Sequence, residues 1–242
     1  MSKIVLHNCR PFLGAADLTS VSNSCELSVE VEEKDVTAFV PTGAAWKEVL
    51  GGIKSASWSG EGFWEAGAGT VDELSFVDLG QVRALTVAPE TAAVGAPAYV
   101  TGALRSNYAQ GASVGDVAPW SAEATGTWPV ARGVILHDPG TARSATGTGT
   151  ALQVAAVTPP QYAYATLHVV SFTGTGTIAV RVESDFEVGF ATPTTRATFT
   201  TAAARGSEAI RYAGPTTDTF WRAAWTVTGT VSALFVVGFG IQ

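Results

Sequence analysis

Apolar and polar residues alternate with a period of two along much of the chain, and this alternation predicts β-strands. Early in the sequence, Val29 and Val31 fall on one side of an extended chain, while Glu30 and Glu32 fall on the other. Such alternation is typical of an antiparallel strand with one buried and one solvated face. The pattern therefore predicts a half-buried strand here.

One short helix is predicted near residues 43–50, because Thr42 stands where an N-cap residue is favoured. Its apolar residues, at spacings of three and four, are Trp46, Val49 and Leu50. We expect this stripe to cover the open end or one face of a sheet. No other segment gives a comparable helix signal.

The segments on either side of this helix predict further strands and turns. Residues Glu33–Asp35 are expected to form a solvated turn before a strand over Val36–Val40. After the helix, Ile53–Trp58, the turn Ser59–Gly62 and the strand Phe63–Glu65 together predict a hairpin.

The second half of the chain has the clearest strand pattern. Five segments rich in β-branched or aromatic residues are predicted as strands: Tyr162–Phe172, Ile178–Glu183, Arg196–Thr200, Phe220–Val227 and Ser232–Phe239. Between pairs of them, Thr173–Thr177 and Thr228–Thr230 are predicted as hairpin turns in which Gly supplies the positive φ. Their spacing indicates an antiparallel sandwich or barrel, so the predicted fold class is all-β.

The whole chain, residues 1–242, is predicted to form a single β domain, because β-sandwiches and barrels of this length are often undivided. A possible seam lies near residues 138–150. The alternative is a first domain over residues 1–143 followed by a C-terminal β-sandwich over residues 144–242.

Charge is distributed unevenly between the two halves. Residues 1–143 carry sixteen Asp and Glu against nine Lys and Arg, whereas residues 144–242 carry five of each. An acidic surface with few Lys repels the phosphates of nucleic acids. Tight nucleic-acid binding is therefore not expected.

A core large enough to fold without covalent links is expected, because 46% of the 242 residues are hydrophobic. Cys9 and Cys25 are accordingly expected to be free thiols rather than a required disulfide. No membrane span is expected, because the apolar run Ala233–Ile241 is much shorter than the ~20 residues that a bilayer requires.

Motifs that could carry chemistry are weak. Gly111–Gly115 matches the G-x-S-x-G pattern around Ser113, but the strand before it and the helix after it that a nucleophile needs are missing. His7, with Cys9 and Cys25, is the only cluster of nitrogen and sulfur donors, and an exposed His7 explains it more simply than a metal does.

The other polar candidates also have simpler explanations. His137 and His168 are expected on the solvent faces of strands. Glu183, Asp185 and Glu187 alternate and could bind a divalent ion or act as a carboxylate pair, although a solvated acidic strand end is the preferred interpretation. Trp221 and Trp225 share one strand face and could stack on sugars, although core packing is preferred. No catalytic, cofactor or metal site is predicted, and the chain is not expected to be an enzyme.

The order of these patterns resembles a known family. The segment LSVEVEEKDVTAFVPTGAAWKEVLGGIKSASWSGEGFWE, residues Leu27–Glu65, is similar to the corresponding part of major tail tube proteins of long-tailed, siphovirus-type bacteriophages. The similarity extends over Leu27–Gly80 and more diffusely over Val114–Leu136. The second half resembles sequence toward the C-termini of tail proteins of actinobacterial phages.

The resemblance implies a virion structural protein that is assembled in the host cytoplasm. Subunits of this family form six-membered rings whose strands join edge to edge, and the rings stack into a tube through which double-stranded DNA passes without specific binding. Other tail proteins, namely the tape measure, tail terminator and distal tail proteins, are the implied partners. Glu30 and Glu32 become candidates for residues that face the lumen. The alternatives are a carbohydrate-binding tail-tip protein and a capsid decoration protein.

Overall fold

The computed structural model describes residues 8–38, 46–67 and 69–242. These residues form sixteen strands and one short helix, with every strand pairing antiparallel, which confirms the all-β prediction. The elements are β1 (Arg10–Leu13), β2 (Ala16–Asp17), β3 (Ser22–Asp35), β4 (Val49–Phe63), α1 (Val71–Val77), β5 (Val82–Ala88), β6 (Pro97–Gln110), β7 (Pro119–Gly126), β8 (Ala131–His137), β9 (Gly147–Thr148), β10 (Leu152–Gln153), β11 (Tyr162–Gly174), β12 (Thr177–Asp185), β13 (Thr194–Thr198), β14 (Gly206–Ala213), β15 (Phe220–Thr228) and β16 (Val231–Ile241).

Strand β6 organises the larger, eleven-stranded sheet. The main path runs β14-β11-β16-β8-β6-β5-β1-β2, and a branch of β7, β4 and β3 leaves from the far end of β6. One edge of β6 pairs first with β8, over Pro97–Val100, and then with β7, over Ala103–Gln110. The opposite edge pairs with β5 over Tyr99–Leu104. One long strand thus carries both the main sheet and the branch.

The smaller sheet contains β9, β10, β15, β12 and β13. Its inner face packs on β11 and β16, and the main hydrophobic core between them is built around buried Trp221, Trp225, Phe235 and Phe239. A second core lies under the branch, around Trp58 and Trp120 together with apolar residues of β1, β5 and α1.

The five strands predicted in the second half are confirmed, with ends that shift by at most two residues. The two Thr-Gly segments between them are turns, and Gly174 and Gly229 have positive φ of 110° and 76°. The prediction that they close hairpins is wrong, because β11 and β16 belong to the larger sheet and β12 and β15 to the smaller one. Each turn therefore carries the chain from one sheet to the other.

Near the predicted seam, the larger sheet continues from one half of the chain to the other. Strand β16 pairs with β11 on one side and with β8 on the other. Residues Gly147–Thr148, inside the seam, form the short edge strand β9 of the smaller sheet. Whether the chain is one domain or two stays a prediction.

The helix prediction near residues 43–50 is wrong where the structure can test it. Residues 43–45 lie outside the described residues, Trp46 has no regular secondary structure, and Val49 and Leu50 begin β4. These two residues pair with Asp35 and Lys34 of β3, so long-range pairing prevails over the local helical spacing.

Within the described residues, the helix lies instead at α1. The sequence pattern that indicates α1 is Thr70-Val-Asp-Glu73, an N-cap residue followed by acidic residues in the first turn. Glu73 there accepts a hydrogen bond from the backbone N–H of Gly69.

Other first-half predictions are corrected as well. Glu33–Asp35 continue β3 rather than forming a turn. Residues 36–38 follow it without regular structure, and Phe39 and Val40 lie outside the described residues. Ser59–Gly62 lie inside β4, so the predicted hairpin over residues 53–65 does not exist. The hairpin that does exist joins β3 to β4.

The outer half of this hairpin is a two-stranded part of the sheet, and its residues Val29, Val31 and Ala56 line a groove with residues 126–130. We call residues 28–35 of β3 and 49–56 of β4 the ribbon; within the described chain these residues of β4 pair with β3 alone. Val29 and Val31 are 56% and 47% exposed, so the prediction of a half-buried strand is wrong for this part. No helix among the described residues is long and apolar enough to cross a membrane.

Candidate functional site

An acidic and hydroxyl-rich surface covers the outer side of the branch formed by β3, β4, β7 and the end of β6. We call it the acidic face. Its side chains are Ser24, Glu26, Ser28 and Glu30 of β3, Ser55, Ser57, Ser59 and Glu61 of β4, Ser121, Glu123 and Thr125 of β7, and Asn107 and Ala109 of β6. None of these residues is Lys or Arg.

Strict alternation along β4 and β7 produces this face. In β4, Trp58, Gly60 and Gly62 are buried, whereas Ser57 and Glu61 between and beside them are exposed. Because successive side chains of a strand point to opposite sides, the apolar set fills the second core and the polar set is left outside.

Gly62 allows the branch to approach the β2–β3 connection closely. The carbonyl oxygen of Val21 accepts hydrogen bonds from the backbone N–H of Phe63 at 2.8 Å and from the indole N–H of Trp120 at 3.3 Å. A Cβ at position 62 would overlap this oxygen. Glycine is therefore needed for the contact that anchors β4.

The register places hydroxyl groups between carboxylates. Glu26 lies opposite Ser59, and Ser59 lies opposite Glu123 on the next strand. Glu61 lies between Ser24 and Ser121 in the same way. Carboxylates in one row are thus two strand spacings apart, roughly 10 Å, which is close to the screening length at physiological salt. No two carboxylates of the face lie directly opposite each other, although Glu61 is a diagonal neighbour of Glu26 and Glu123 on the adjacent strands.

Glu30 and Glu32, the predicted lumen residues, are both exposed on β3. Glu30 lies opposite Ser55, at the border of the acidic face, and accepts a hydrogen bond from Ser28 at 3.3 Å. Glu32 lies further along the ribbon and forms an ion pair with Lys34, which reduces its contribution to the local negative potential. That either residue faces a lumen stays a prediction.

Sequence analysis missed most of the acidic face. Glu26, Glu61 and Glu123 are its other carboxylates, and Glu61 was assigned to a turn. Alternation of small and polar residues around Glu61 and Glu123 was the available signal. Only the strand register shows that these residues lie on one surface.

Both lateral edges of the branch lack a partner strand within the described part of the chain. β3 pairs with β4 alone. β6 beyond Arg105 pairs on one side only, with β7, because its pairing with β5 ends at Leu104. Unpaired edges of this kind are templates for pairing with another chain.

The catalytic and histidine candidates are separated in space and environment. Ser113 is exposed in the loop between β6 and β7. His137 and His168 are buried, with 2% and 0% of their surface exposed, so their predicted solvent positions are wrong. Burial lowers the pKa of each imidazole to about 4, and each Nδ1 lies within 2.9 Å of a backbone carbonyl oxygen, that of Phe235 or Gly14.

The acidic strand end Glu183–Glu187 is not a solvated cluster, contrary to the preferred interpretation. Glu183 is buried and accepts hydrogen bonds from Arg181 at 2.7 Å and Arg222 at 2.9 Å. Asp185 is buried and accepts backbone N–H groups, while Glu187 is exposed. Within the described residues, no group of three or more His, Cys, Asp or Glu side chains could hold a metal ion.

The sulfur candidates lie together beneath the branch. Cys9 and Cys25 are unlinked, half-buried and packed against the same core, and the indole N–H of Trp58 lies 3.3 Å from the sulfur of Cys25. The hydrogen bond between the two thiols raises the pKa of Cys9 above its usual range. His7 lies outside the described residues.

The preferred interpretation of the two tryptophans is confirmed. Trp221 and Trp225 are buried in the main core, with 0% and 4% of their surface exposed. Their indole N–H groups donate to the carbonyl oxygens of Ala155 and Ala145. They are not available to stack on a sugar, so the observation behind a carbohydrate-binding role is lost.

Comparison with known proteins finds several similar solved structures, and three of them follow. This chain is similar to a chain from the virion of a native gene transfer agent particle, with 22% identity over 50% of this chain and 93% of the other, and a TM-score of 0.39. A chain from the tail of an empty gene transfer agent particle, refined with C6 symmetry, has 20% identity over 49% and 92%, with a TM-score of 0.38. The Dit protein of phage SPP1 has 10% identity over 97% and 99%, with a TM-score of 0.36.

No family model matches the chain, and no curated protein matches it. All three TM-scores lie below 0.5.

Proposed function

We propose that this protein is a structural subunit of a virion tail, and specifically a tail tube subunit that assembles into stacked hexameric rings around a DNA conduit. The observation that carries the proposal is the acidic face, on which Glu26, Glu30, Glu61 and Glu123 are interleaved with hydroxyl groups and no cation. In the assembled ring this face lines the bore.

Edge-to-edge pairing closes the ring. The free edge of β3 in one copy pairs with the free edge of β6 beyond Arg105 in the next, so that the four-stranded branch continues from copy to copy. Four strands from each of six copies give a barrel of 24 strands. Such a barrel is about 45–50 Å across between opposite backbones, which leaves room for a DNA duplex inside its side chains.

The chemistry of the face suits passage rather than binding. DNA binding depends on cations that replace the counterions of the phosphates. Carboxylates repel phosphates, and hydroxyl groups offer only weak contacts to them. A bore with this lining keeps the duplex away from its wall, so DNA slides without being held. The protein acts through shape and electrostatic potential and has no enzymatic role.

Position in a tail implies contacts with other components of the particle. A tube of stacked rings needs a protein that sets its length, one that ends it and one that starts it. The tape measure, tail terminator and distal tail proteins are therefore the proposed partners, and the virion tail is the proposed location.

Negative-stain electron microscopy of the purified protein, over a range of concentrations, tests the assembly. We expect rings or tubes with a central channel. Persistent monomers at high concentration, also in the presence of a tail initiator complex, would rule out a tube subunit.

Cysteine labelling tests which surface lines the channel. We expect Ser57→Cys, on the acidic face, to react with a small maleimide but not with a bulky maleimide polymer once tubes form. Glu187→Cys, on an exposed loop of the smaller sheet, is the matched control and should react with both reagents. Equal reaction of Ser57→Cys with the polymer before and after assembly would place the acidic face on the outer wall.

Charge reversal tests the electrostatic role. Tubes of a double variant that carries both Glu61→Lys and Glu123→Lys should retain duplex DNA at low salt concentration. They should release the DNA as the salt concentration is raised. Unmodified tubes should retain none. Retention of DNA by the unmodified tubes would contradict the proposed lining.

A further inference from the structure

Two cysteine side chains meet beneath the branch. Cys9 stands directly before β1, and Cys25 lies on β3 opposite Gly60 of β4. Because Ser24 and Glu26 belong to the acidic face, Cys25 between them points to the other side, toward the second core. Both thiols are half-buried and close enough to share a hydrogen bond. Two oxidisable sulfur atoms are thus in contact at a site that solvent can still reach.

The two thiols differ in their surroundings. The sulfur of Cys25 accepts hydrogen bonds from the thiol of Cys9 and from the indole N–H of Trp58, whose nitrogen lies 3.3 Å away. Both hydrogen bonds favour the thiolate and lower the pKa of Cys25, although burial opposes them. The hydrogen bond to Cys25, together with burial, raises the pKa of Cys9. Cys25 is therefore the nucleophile of the pair.

The chain between the two cysteines carries contacts to two distant parts of the larger sheet. The carbonyl oxygen of Gly14 lies 2.8 Å from Nδ1 of His168 on β11. The carbonyl oxygen of Val21 accepts the backbone N–H of Phe63, at the end of β4, at 2.8 Å. β3 itself is an edge strand that pairs with β4 alone within the described chain. A covalent bond between the cysteines would fasten this edge strand to the start of β1 and close a loop around both contacts.

We propose that Cys9 and Cys25 are a dithiol–disulfide pair that is oxidised by a small-molecule disulfide such as glutathione disulfide. The thiolate of Cys25 attacks one sulfur of the oxidant, which forms a mixed disulfide and releases one small thiol. Cys9 then loses its proton to water and attacks the sulfur of Cys25, which forms the Cys9–Cys25 bond and releases the second small thiol. Two electrons and two protons pass from the cysteines to the oxidant.

The two forms belong to different compartments. Disulfides are rare in a reducing cytoplasm and persist outside the cell. The dithiol is therefore the form in which the protein is made, and the disulfide is the form that follows exposure to an oxidising medium. A bond that closes a loop stabilises the folded protein mainly by restricting the unfolded chain. In a virion tail the exposure would be release from the host, and this step alone rests on the proposed function.

Thiol titration of the unmodified protein tests the pairing. The folded protein is incubated with glutathione disulfide, or with reduced glutathione as the matched control, and free thiols are then counted in denaturant. We expect both thiols to be free in the control and neither after oxidation, with no glutathione attached and a mass lower by two hydrogen atoms. A protease that cleaves before Asp17, between the cysteines, should leave two peptides joined until a reductant is added.

Thermal unfolding measures the consequence of the bond. The oxidised protein should melt about 5 °C above the reduced protein. Cys9→Ser and Cys25→Ser should show no rise after the same treatment. Cys9→Ser retains the nucleophile, and the hydroxyl that replaces the Cys9 thiol can still donate to its sulfur. This variant should therefore take up glutathione about fivefold faster than Cys25→Ser.

Three results would overturn the pairing: thiols that stay free or stay bound to glutathione, cross-linked dimers in place of the internal bond, or a melting temperature that does not rise with the bond. Because the thiols are counted on unassembled protein, any of these results would leave the tube proposal standing. An internal disulfide in a protein that forms no tubes would support the pairing and remove the conduit.

Discussion

The imidazole Nε2 of His168 lies 2.8 Å from the hydroxyl oxygen of Thr86, although 82 residues separate them in sequence. The Nδ1 of His168 lies 2.8 Å from the carbonyl oxygen of Gly14 and donates to it, so Nε2 accepts the proton of Thr86. Thr166 lies 2.6 Å from the same Thr86 hydroxyl. This buried network joins β11 to β5 and to the β1–β2 turn, and it requires a neutral imidazole.

Folding stability should therefore fall in mild acid. The pKa of His168 is lowered by burial to about 4 in the folded state, from 6.5 in the unfolded chain. As the pH falls below about 6.5, the unfolded chain takes up a proton that the folded protein does not, and stability is lost until about pH 4. We expect about 2 kcal/mol of this loss by pH 5.

Urea unfolding of the unmodified protein and of His168→Gln at pH 7 and pH 5 measures the effect. The variant should be less stable at pH 7 but should lose about 2 kcal/mol less than the unmodified protein between the two pH values. Identical losses in both proteins would show that His168 does not control the acid response.

Removing Glu183 should leave two arginines uncompensated. Its carboxylate lies between Arg181 and Arg222, with only 5% of the side chain exposed. We expect Glu183→Ala to lower the free energy of unfolding by about 3 kcal/mol. Exposed Glu187→Ala in the same segment is the control, with an expected change within about 0.5 kcal/mol. A rise in the melting temperature of the unmodified protein on addition of Ca²⁺ would contradict this interpretation and would indicate a cation site in this segment.

Gly62→Ala should displace β4 from its anchor. The new methyl group would overlap the carbonyl oxygen of Val21, and backbone atoms cannot move aside as a flexible side chain can. A loss of about 3 kcal/mol is expected in thermal or urea unfolding, at the upper end for overpacked sites. Gly206→Ala, where a Cβ has open space, should change stability by less than about 0.5 kcal/mol. Similar effects at both positions would argue against the close contact.

Arg105 is a buried cation whose replacement should not destabilise the protein. It is fully buried, and its Nη2 donates to Ser75 at 2.6 Å, but Nε and Nη1 have no hydrogen-bond partner among the described residues. Burial lowers its pKa to about 10. Arg105→Met should leave stability unchanged or raise it by about 1–2 kcal/mol.

Ser75→Ala removes the remaining partner of Arg105 and should cost about 1–3 kcal/mol. Both variants are compared with the unmodified protein by urea unfolding. A large loss in Arg105→Met would indicate that the guanidinium stabilises the fold.

Local patterns predicted the strands of the second half well. β-branched and aromatic residues with a period of two specify an extended backbone, whichever strand is the pairing partner. The sequence also predicted the turns at Gly174 and Gly229, because the backbone conformation of a turn is a local property. Which sheet each flanking strand joins depends on pairing with distant strands, and this information is absent from the turn itself.

The same limit explains the errors in the first half and in the candidate sites. Spacing of Trp46, Val49 and Leu50 fits a helix, yet pairing with Lys34 and Asp35 makes Val49 and Leu50 a strand. Surrounding sequence suggested that Glu183 and His168 were solvated. Their partners include Arg222 and Thr86, which lie 39 and 82 residues away, and the local sequence does not show that such distant partners make burial tolerable.

The sequence by itself determined an all-β chain, an acidic first half and the positions of most second-half strands, because each follows from composition or short-range periodicity. Only the tertiary structure decided that Glu26, Glu61 and Glu123 share one face, that the outer half of the β3–β4 hairpin pairs with no further strand, and that His137 and His168 are buried. These properties depend on strand register and on contacts between distant residues, and register is set by the packing of the whole sheet.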